Sequence, residues 1–152
     1  GVDYNRRFEV PVLKAAAPAY AAYLALILFA PLDAGVTEWT LHLGFPGGAA
    51  EQIEILRMLE LVAASTLVGY MVAEFRGRAA ARYSDAVRRL LLWGIVLACF
   101  VEGSAGYQTG RGASLTRGAL LMAAVLYGGW LYYLQRAHVM RLLAENKAAS
   151  RS

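Results

Sequence analysis

The sequence predicts an all-α, polytopic membrane protein: four transmembrane helices in one domain, with the N and C termini both cytoplasmic. Three observations carry that expectation. The chain of 152 residues is 59% hydrophobic and only 17% charged, where an ordinary soluble domain is nearer half apolar and about a quarter charged. Its mean hydropathy is +0.44. The apolar residues gather into runs near the length of about 20 residues that crosses a hydrocarbon layer, and Lys and Arg cluster beside those runs. The net charge of +4 therefore reads as membrane topology. A nucleic-acid groove would interleave bases with aromatics, so no nucleic-acid partner is expected.

Residues 1–9, with Arg6 and Arg7, form a polar, basic start. The opening Gly1, in place of Met, reads as a processed or trimmed start. No cleavable signal peptide is expected, because the first apolar run is long enough to span and further spans follow. That first span covers about residues 10–30 and stops at Pro31. Lys14 can snorkel to the headgroups, and Pro18 is tolerated where neighbouring helices re-satisfy the freed carbonyl. Ala17, Ala21 and Ala25 repeat every four residues, a stripe that lets another helix approach closely.

Residues 31–50 form a loop with Asp33, Glu38, Trp39 and His42 but no Lys or Arg. Gly44, Pro46, Gly47 and Gly48 forbid a continuous helix there. Trp39, Leu41, Leu43 and Phe45 suit the membrane interface. His42 reads as an exposed loop residue; no Cys or His stands at metal-ligand spacing, and no metal or cofactor is expected.

The second span is about residues 53–73. Glu54, Arg57 and Glu60 recur at three-residue spacing, which places them on one face across about 120° of a helix. Charges inside a bilayer cost about 2.5–3.5 kcal/mol each even on lenient scales, so Glu60 should face protein or water, paired with Arg57. Either a structural ladder of ion pairs or a polar pocket satisfies that pattern. An arginine-rich connection follows, with Arg76, Arg78, Arg82, Arg88 and Arg89.

The third span, about residues 90–106, loses its clean apolar run at Val101. Glu102 then falls within the membrane thickness, and Gly103-Ser104-Ala105-Gly106 is expected to break the helix beside a protein-lined cavity. Cys99, alone in the chain, reads as a small buried hydrophobe. The fourth span covers about residues 114–134, with Arg117 one turn in. Ala124 and Gly128 supply a second small-residue packing face. Trp130, Tyr132 and Tyr133 fit an aromatic belt. In the cytoplasmic tail, residues 135–152, Val139, Leu142 and Leu143 keep helical spacing, which predicts a helical extension along the membrane surface.

Loop charges set the orientation. The start, the second connection and the tail are basic, while the first loop has no Lys or Arg and the third carries Arg111 with Arg117 at its edge. The outward end then gathers Glu54, Arg57, Glu60, Glu102, Arg111 and Arg117. Mutual neutralisation explains such a set, because buried charges persist when paired and hydrogen-bonded. A headgroup or phosphate site explains it equally, with Arg supplying the bidentate fork.

Part of this pattern resembles the VanZ-like membrane proteins, whose motif runs Glu-x-x-Gln, Pro-Gly-Arg, Asp and Asn on the next helix, then Gly-Ala and a further Gly. Glu102 and Arg111 stand at the family's spacing, Gly110 precedes the arginine, Ser114 fits a commonly polar position, and Gly128 falls on the late glycine. Leu28-Phe29-Ala30-Pro31 resembles the end of the family's first helix. Ala105 replaces the Gln, Arg117 the Asp and Leu121 the Asn. The second span shows Arg57 and Val62-Ala63-Ala64-Ser65 in place of the family's Asn and Phe-x-Pro-x-Gly. The resemblance implies a bacterial inner-membrane setting in the cell envelope. With the motif's acid and amides substituted, a non-enzymatic accessory or scaffold subunit is the first expectation, partnered by membrane lipids and other integral membrane proteins. The second is a binder or processor of a lipid-linked, polyprenyl-phosphate or anionic envelope component at the outward pocket.

Overall fold

The structure, a computed structural model, describes residues 15–26, 38–44, 51–76, 82–107 and 112–150, with the side chains of residues 51–54 and 76 outside that description. The described residues form α1 (Ala15–Leu26), β1 (Leu41–His42), α2 (Glu51–Arg76), α3 (Tyr83–Ala105), β2 (Ala113–Ser114) and α4 (Leu115–Ala149). The protein is all-α apart from one minimal parallel pairing, in which Leu41 faces Ala113 and His42 faces Ser114.

α4 is the spine. Its most extensive interface is with α2, followed by α3. Leu61 clusters with Leu121 at one end of α2 and Tyr70 packs on Tyr132 towards the other, so α2 and α4 run in parallel; Leu90 meets Gly129 and Gly94 meets Met122, so α3 runs against α4. The β1–β2 pairing closes one end of the bundle, the cap end. At the other, the tail end, α4 projects beyond its neighbours. Ser114 caps α4 by accepting a hydrogen bond from the Arg117 amide at 3.3 Å, which satisfies one of the orphan donors of the first turn. Asp85 in the first turn of α3 complements the positive end of the helix dipole.

The interior is built largely from small residues. Ala73, Ala86, Leu90, Val125, Tyr132 and Tyr133 form one core cluster and Leu61, Val101 and Leu121 another. Ser65, Gly69 and Ala73 recur every four residues on α2 and are all buried. The hydroxyls of Ser65 and Thr66 fold back onto the carbonyls of Leu61 and Val62 at 2.7 and 2.8 Å, leaving the face smooth. The large side chains point outward instead. Leu56 and Leu92 are 67% and 60% exposed, with Leu59, Leu67, Ile95, Val96, Phe100, Tyr127 and Trp130 beside them on the surface.

Among the described residues one helical segment, Ile55–Phe75, is long and apolar enough to cross a membrane by length and composition. The hydropathy of the described helices therefore does not by itself carry the expected four spans. The described part of α1 is apolar but short. Arg88, Arg89 and Glu102 interrupt α3, while tyrosines and glycines dilute α4.

Three local expectations change. The helix ends within the expected stretch 103–106 but at its far side: α3 starts at Tyr83, passes through Gly103 and continues to Ala105, with Gly106 as its cap. A mid-helix glycine costs only about 1 kcal/mol relative to Ala, and the Ser104 hydroxyl and Gly106 amide bond back to Val101 and Glu102 at 2.8 and 3.0 Å. The tail is not a separate surface helix but the uninterrupted end of α4, since no Gly or Pro follows Gly129 to turn the chain. Cys99 is exposed rather than buried, on a helix face shared with Ile95 and Val96. The chain segments 10–14, 27–37 and 45–50, with Lys14 and Pro31, lie outside the described residues.

Candidate functional site

Two side chains dominate the cap end. Glu102 sits near the end of α3 and Arg117 in the first turn of α4, so the helix dipoles do not favour either charge where it stands: the carboxylate is at a C-terminal end and the guanidinium at an N-terminal one. They neutralise each other instead. The Arg117 Nε donates to Glu102 Oε1 and Nη2 to Oε2, both at 2.7 Å. This is the bidentate fork that gives charge-assisted pairs their directionality. The side chains are 5% and 13% exposed for Arg117 and Glu102, so the pair is almost out of solvent.

Ser114 organises the rest. Its backbone amide donates to Glu102 Oε2 at 2.7 Å, and its hydroxyl donates to the Gly44 carbonyl at 3.0 Å while accepting from the Arg117 amide. The Arg117 Nη2 also donates to the Gly112 carbonyl at 2.8 Å. The Ala113 amide donates to Thr40 at 2.8 Å, and the Thr116 hydroxyl to Leu43. Trp39 lays its indole over Gly106, with Nε1 at 3.4 Å from the Gly103 carbonyl. One ion pair thus ties together the end of α3, the start of α4 and the 38–44 segment. Among the described residues no buried side-chain nitrogen or oxygen lacks a partner. Chemically, the arrangement is closed: the carboxylate accepts from three donors and the guanidinium fork is occupied by it.

Gly112 is the backbone condition for this closure. It has φ +62°, and a Cβ there would lie 2.5 Å from the His42 ring, a conformation and a contact that suit only glycine. Gly112→Ala is expected to lower stability by about 2 kcal/mol, read as a drop in thermal midpoint with the helical content of the folded state unchanged.

The other charges expected here are elsewhere. Arg57 and Glu60 are exposed. Glu60 accepts a hydrogen bond from the Tyr23 hydroxyl at 2.6 Å, on the side of α2 that meets α1. The ion pairs among the described residues include no Arg57–Glu60 contact. The Glu54 side chain and Arg111 lie outside the described residues. Among the described residues no group of three or more His, Cys, Asp or Glu is placed to hold a metal ion.

The small-residue faces are partly located. Ala124 and Gly128 are both buried, Gly128 against Thr66 and Tyr70 of α2. Ala17 and Ala21 border a cavity of about 300 Å³ with Tyr20, Val68, Phe75 and Trp93, while Ala25 is half-buried. The Tyr20 hydroxyl joins α1 to α2 through the Ala64 carbonyl at 2.6 Å.

Sequence reasoning missed two features. The four-residue repeat Ser65-Gly69-Ala73, the partner face of Gly128, was signalled by the same small-residue spacing that marked α4. Glu74 is buried at 5% exposure near the tail end, facing Tyr132, beside edge-on contacts linking Tyr70, Tyr132, Tyr133 and Tyr83. The Tyr83 hydroxyl donates to Leu126 at 3.1 Å, and burial pushes its phenol above the usual range. No sequence signal set Glu74 apart from a charge flanking a span.

Comparison of the chain with protein-family models, with curated proteins and with solved structures finds no match.

Proposed function

We propose that the protein is a four-span, VanZ-like integral membrane protein of the bacterial cell envelope that works as a non-enzymatic scaffold, an accessory subunit of a larger membrane assembly. The observation that carries the membrane part is the inverted polarity of the bundle. Its interior is rich in Ala, Gly and Ser around a few buried Leu, Val and Tyr side chains and holds a neutralised ion pair, while most of the large leucine, isoleucine and aromatic side chains face outward on α2, α3 and α4. In water such a surface would be an association hazard; in hydrocarbon it is the solvated face, and small residues are what let helices approach there. α3 and α4 cross on this reading despite their charges, because Glu102 and Arg117 enter as a pair and Arg88 and Arg89 stay at the headgroups.

The closed ion pair supports the scaffold. Arg117 stands where the resembled motif carries Asp, and it occupies the motif's carboxylate instead of leaving it for a reacting group. Arg117 likewise has no free fork to offer a phosphate.

Cys99 provides the test of topology. In intact membranes a membrane-impermeant maleimide should leave Cys99 unlabelled and react with it fully after detergent solubilisation. A cysteine placed at Ser150, in a Cys99→Ser chain, should label from the cytoplasmic side only. Labelling of Cys99 at the rate of the Ser150 position overturns the spanning arrangement. For the accessory role, native mass spectrometry after gentle extraction should show stoichiometric membrane-protein partners. A chain that always emerges alone removes that role.

A further inference from the structure

At the tail end, well away from the ion pair, a cavity of about 640 Å³ opens between α2 and α4, lined among others by Tyr70, Leu131, Leu134, Gln135, His138 and Arg141. From this grading of polarity we infer a binding site for one acidic glycerophospholipid of the inner leaflet, its chain along Leu131 and Leu134 and its phosphate at His138 and Arg141. The inference rests on the membrane reading above.

Three observations carry it. The first is depth. α4 has 35 residues, about 52 Å at 1.5 Å per residue, against a hydrocarbon thickness of about 30 Å. About 20 residues from Leu115 exhaust that thickness, so the helix leaves it near Leu134, in the middle of the cavity lining. The second is the order of the lining: leucines come first along α4, then Gln135, His138 and Arg141 a turn at a time, which matches the sequence of chain, glycerol and phosphate in a lipid. The third is charge. The lining contains a guanidinium and an imidazole and no carboxylate; Glu145 lies a further turn on and is not part of it. The Tyr70 hydroxyl donates to Gln135 Oε1 at 2.8 Å, which braces the carboxamide and leaves its NH₂ as the donor end for a glycerol or phosphate oxygen. A phosphate ester offers the acceptors that these donors need. Free phosphate would use the same donors without the leucines, so the apolar half of the cavity selects the lipid.

The test is uptake of lipid by the full-length chain purified in a neutral detergent, followed by native mass spectrometry during titration with phosphatidylglycerol or phosphatidylcholine. The wild type should take up one phosphatidylglycerol before any phosphatidylcholine. Arg141→Gln should weaken that first binding about fivefold, the effect of one cation beside an acidic headgroup, and His138→Gln with Arg141→Gln should abolish the preference. Lys147→Gln, an exposed cation beyond the cavity, should leave it intact. A double variant that keeps the wild-type preference for phosphatidylglycerol overturns the site, and so does full displacement of the lipid by glycerol phosphate. Alkaline carbonate extraction of the source membranes separates the two ideas. A chain that stays in the membrane but shows no preference loses the site alone, whereas a chain that carbonate strips loses the membrane reading and the site together.

Discussion

Replacing Gly128 with alanine is expected to lower stability by about 3 kcal/mol, the upper end of what overpacking ordinarily costs. The added Cβ would lie 1.9 Å from the Thr66 carbonyl oxygen and 3.0 Å from the Tyr70 nitrogen. Both are backbone atoms of a helix, so no side chain can swing aside, and α2 must move off α4 as a body. That motion would open the packing around Val125, which has no exposed surface. Gly69→Ala attacks the same crossing from the other side, with its Cβ 2.0 Å from the Val125 carbonyl oxygen. Because the two share one crossing, their effects should be less than additive. Gly103→Ala is the control: nothing lies within 4 Å of its Cβ position, and it should stabilise α3 by about 0.5–1 kcal/mol through helix propensity. Urea unfolding in mixed micelles, followed by far-ultraviolet circular dichroism, reads all four chains. An unchanged midpoint for Gly128→Ala would mean that α2 and α4 do not cross as described.

The second large effect concerns the ion pair. Glu102→Leu leaves the Arg117 guanidinium buried without its counter-charge, a change worth about 3–5 kcal/mol. Arg117→Met should be comparably harmful, since it strands the carboxylate. Making both changes removes the stranded charge as well as the pair, and stability should return to within about 2 kcal/mol of the starting chain. The remaining deficit belongs to the Ser114 amide, which loses its acceptor. The same double variant separates the two functional readings. A folded Glu102→Leu, Arg117→Met chain that still assembles with its partners has used the pair only to hold the cap end together. One that folds but no longer functions assigns the pair a chemical task.

How far the sequence foretold this differs from residue to residue. Glu102 and Arg117 were placed at one end because charges beside apolar runs have few other places to go. Their partnership was not legible, since several acids and bases were candidates and the choice among them depends on how α3 and α4 are rotated about their axes. That rotation is set by packing: a Cβ added at Gly118 would lie 3.5 Å from the Glu102 side chain, so the glycine lets the two helices come close where the pair must form. Arg57 and Glu60 share a face by helical spacing, and nothing in spacing says that α1 would supply Tyr23 to Glu60 instead. The small-residue repeat on α4 stands out in the sequence by its spacing, while the matching repeat on α2 is obscured by the bulkier apolar residues around it. Gly103 shows the limit of composition as a guide: of the two glycines in this row of small residues the second marks the end of α3, while the first is carried through because the helical hydrogen bonds of Ser104 and Gly106 are worth more than the propensity lost.

The parallel contact between residues 38–44 and 112–116 also bears on the order in which the molecule folds. Ser114 and Gly44 are 70 positions apart in the chain, and α2 and α3 both lie between them. Closing so long a loop before those helices are in place would sacrifice chain entropy with only two short strands to offset it. The helix hairpin of α3 and α4 is local by comparison and can form first. The seam between the first loop and the head of α4 is therefore the last to close and, by the same reasoning, the first to open under load. Partial unfolding should release the 38–44 segment while the α2–α4 crossing still holds.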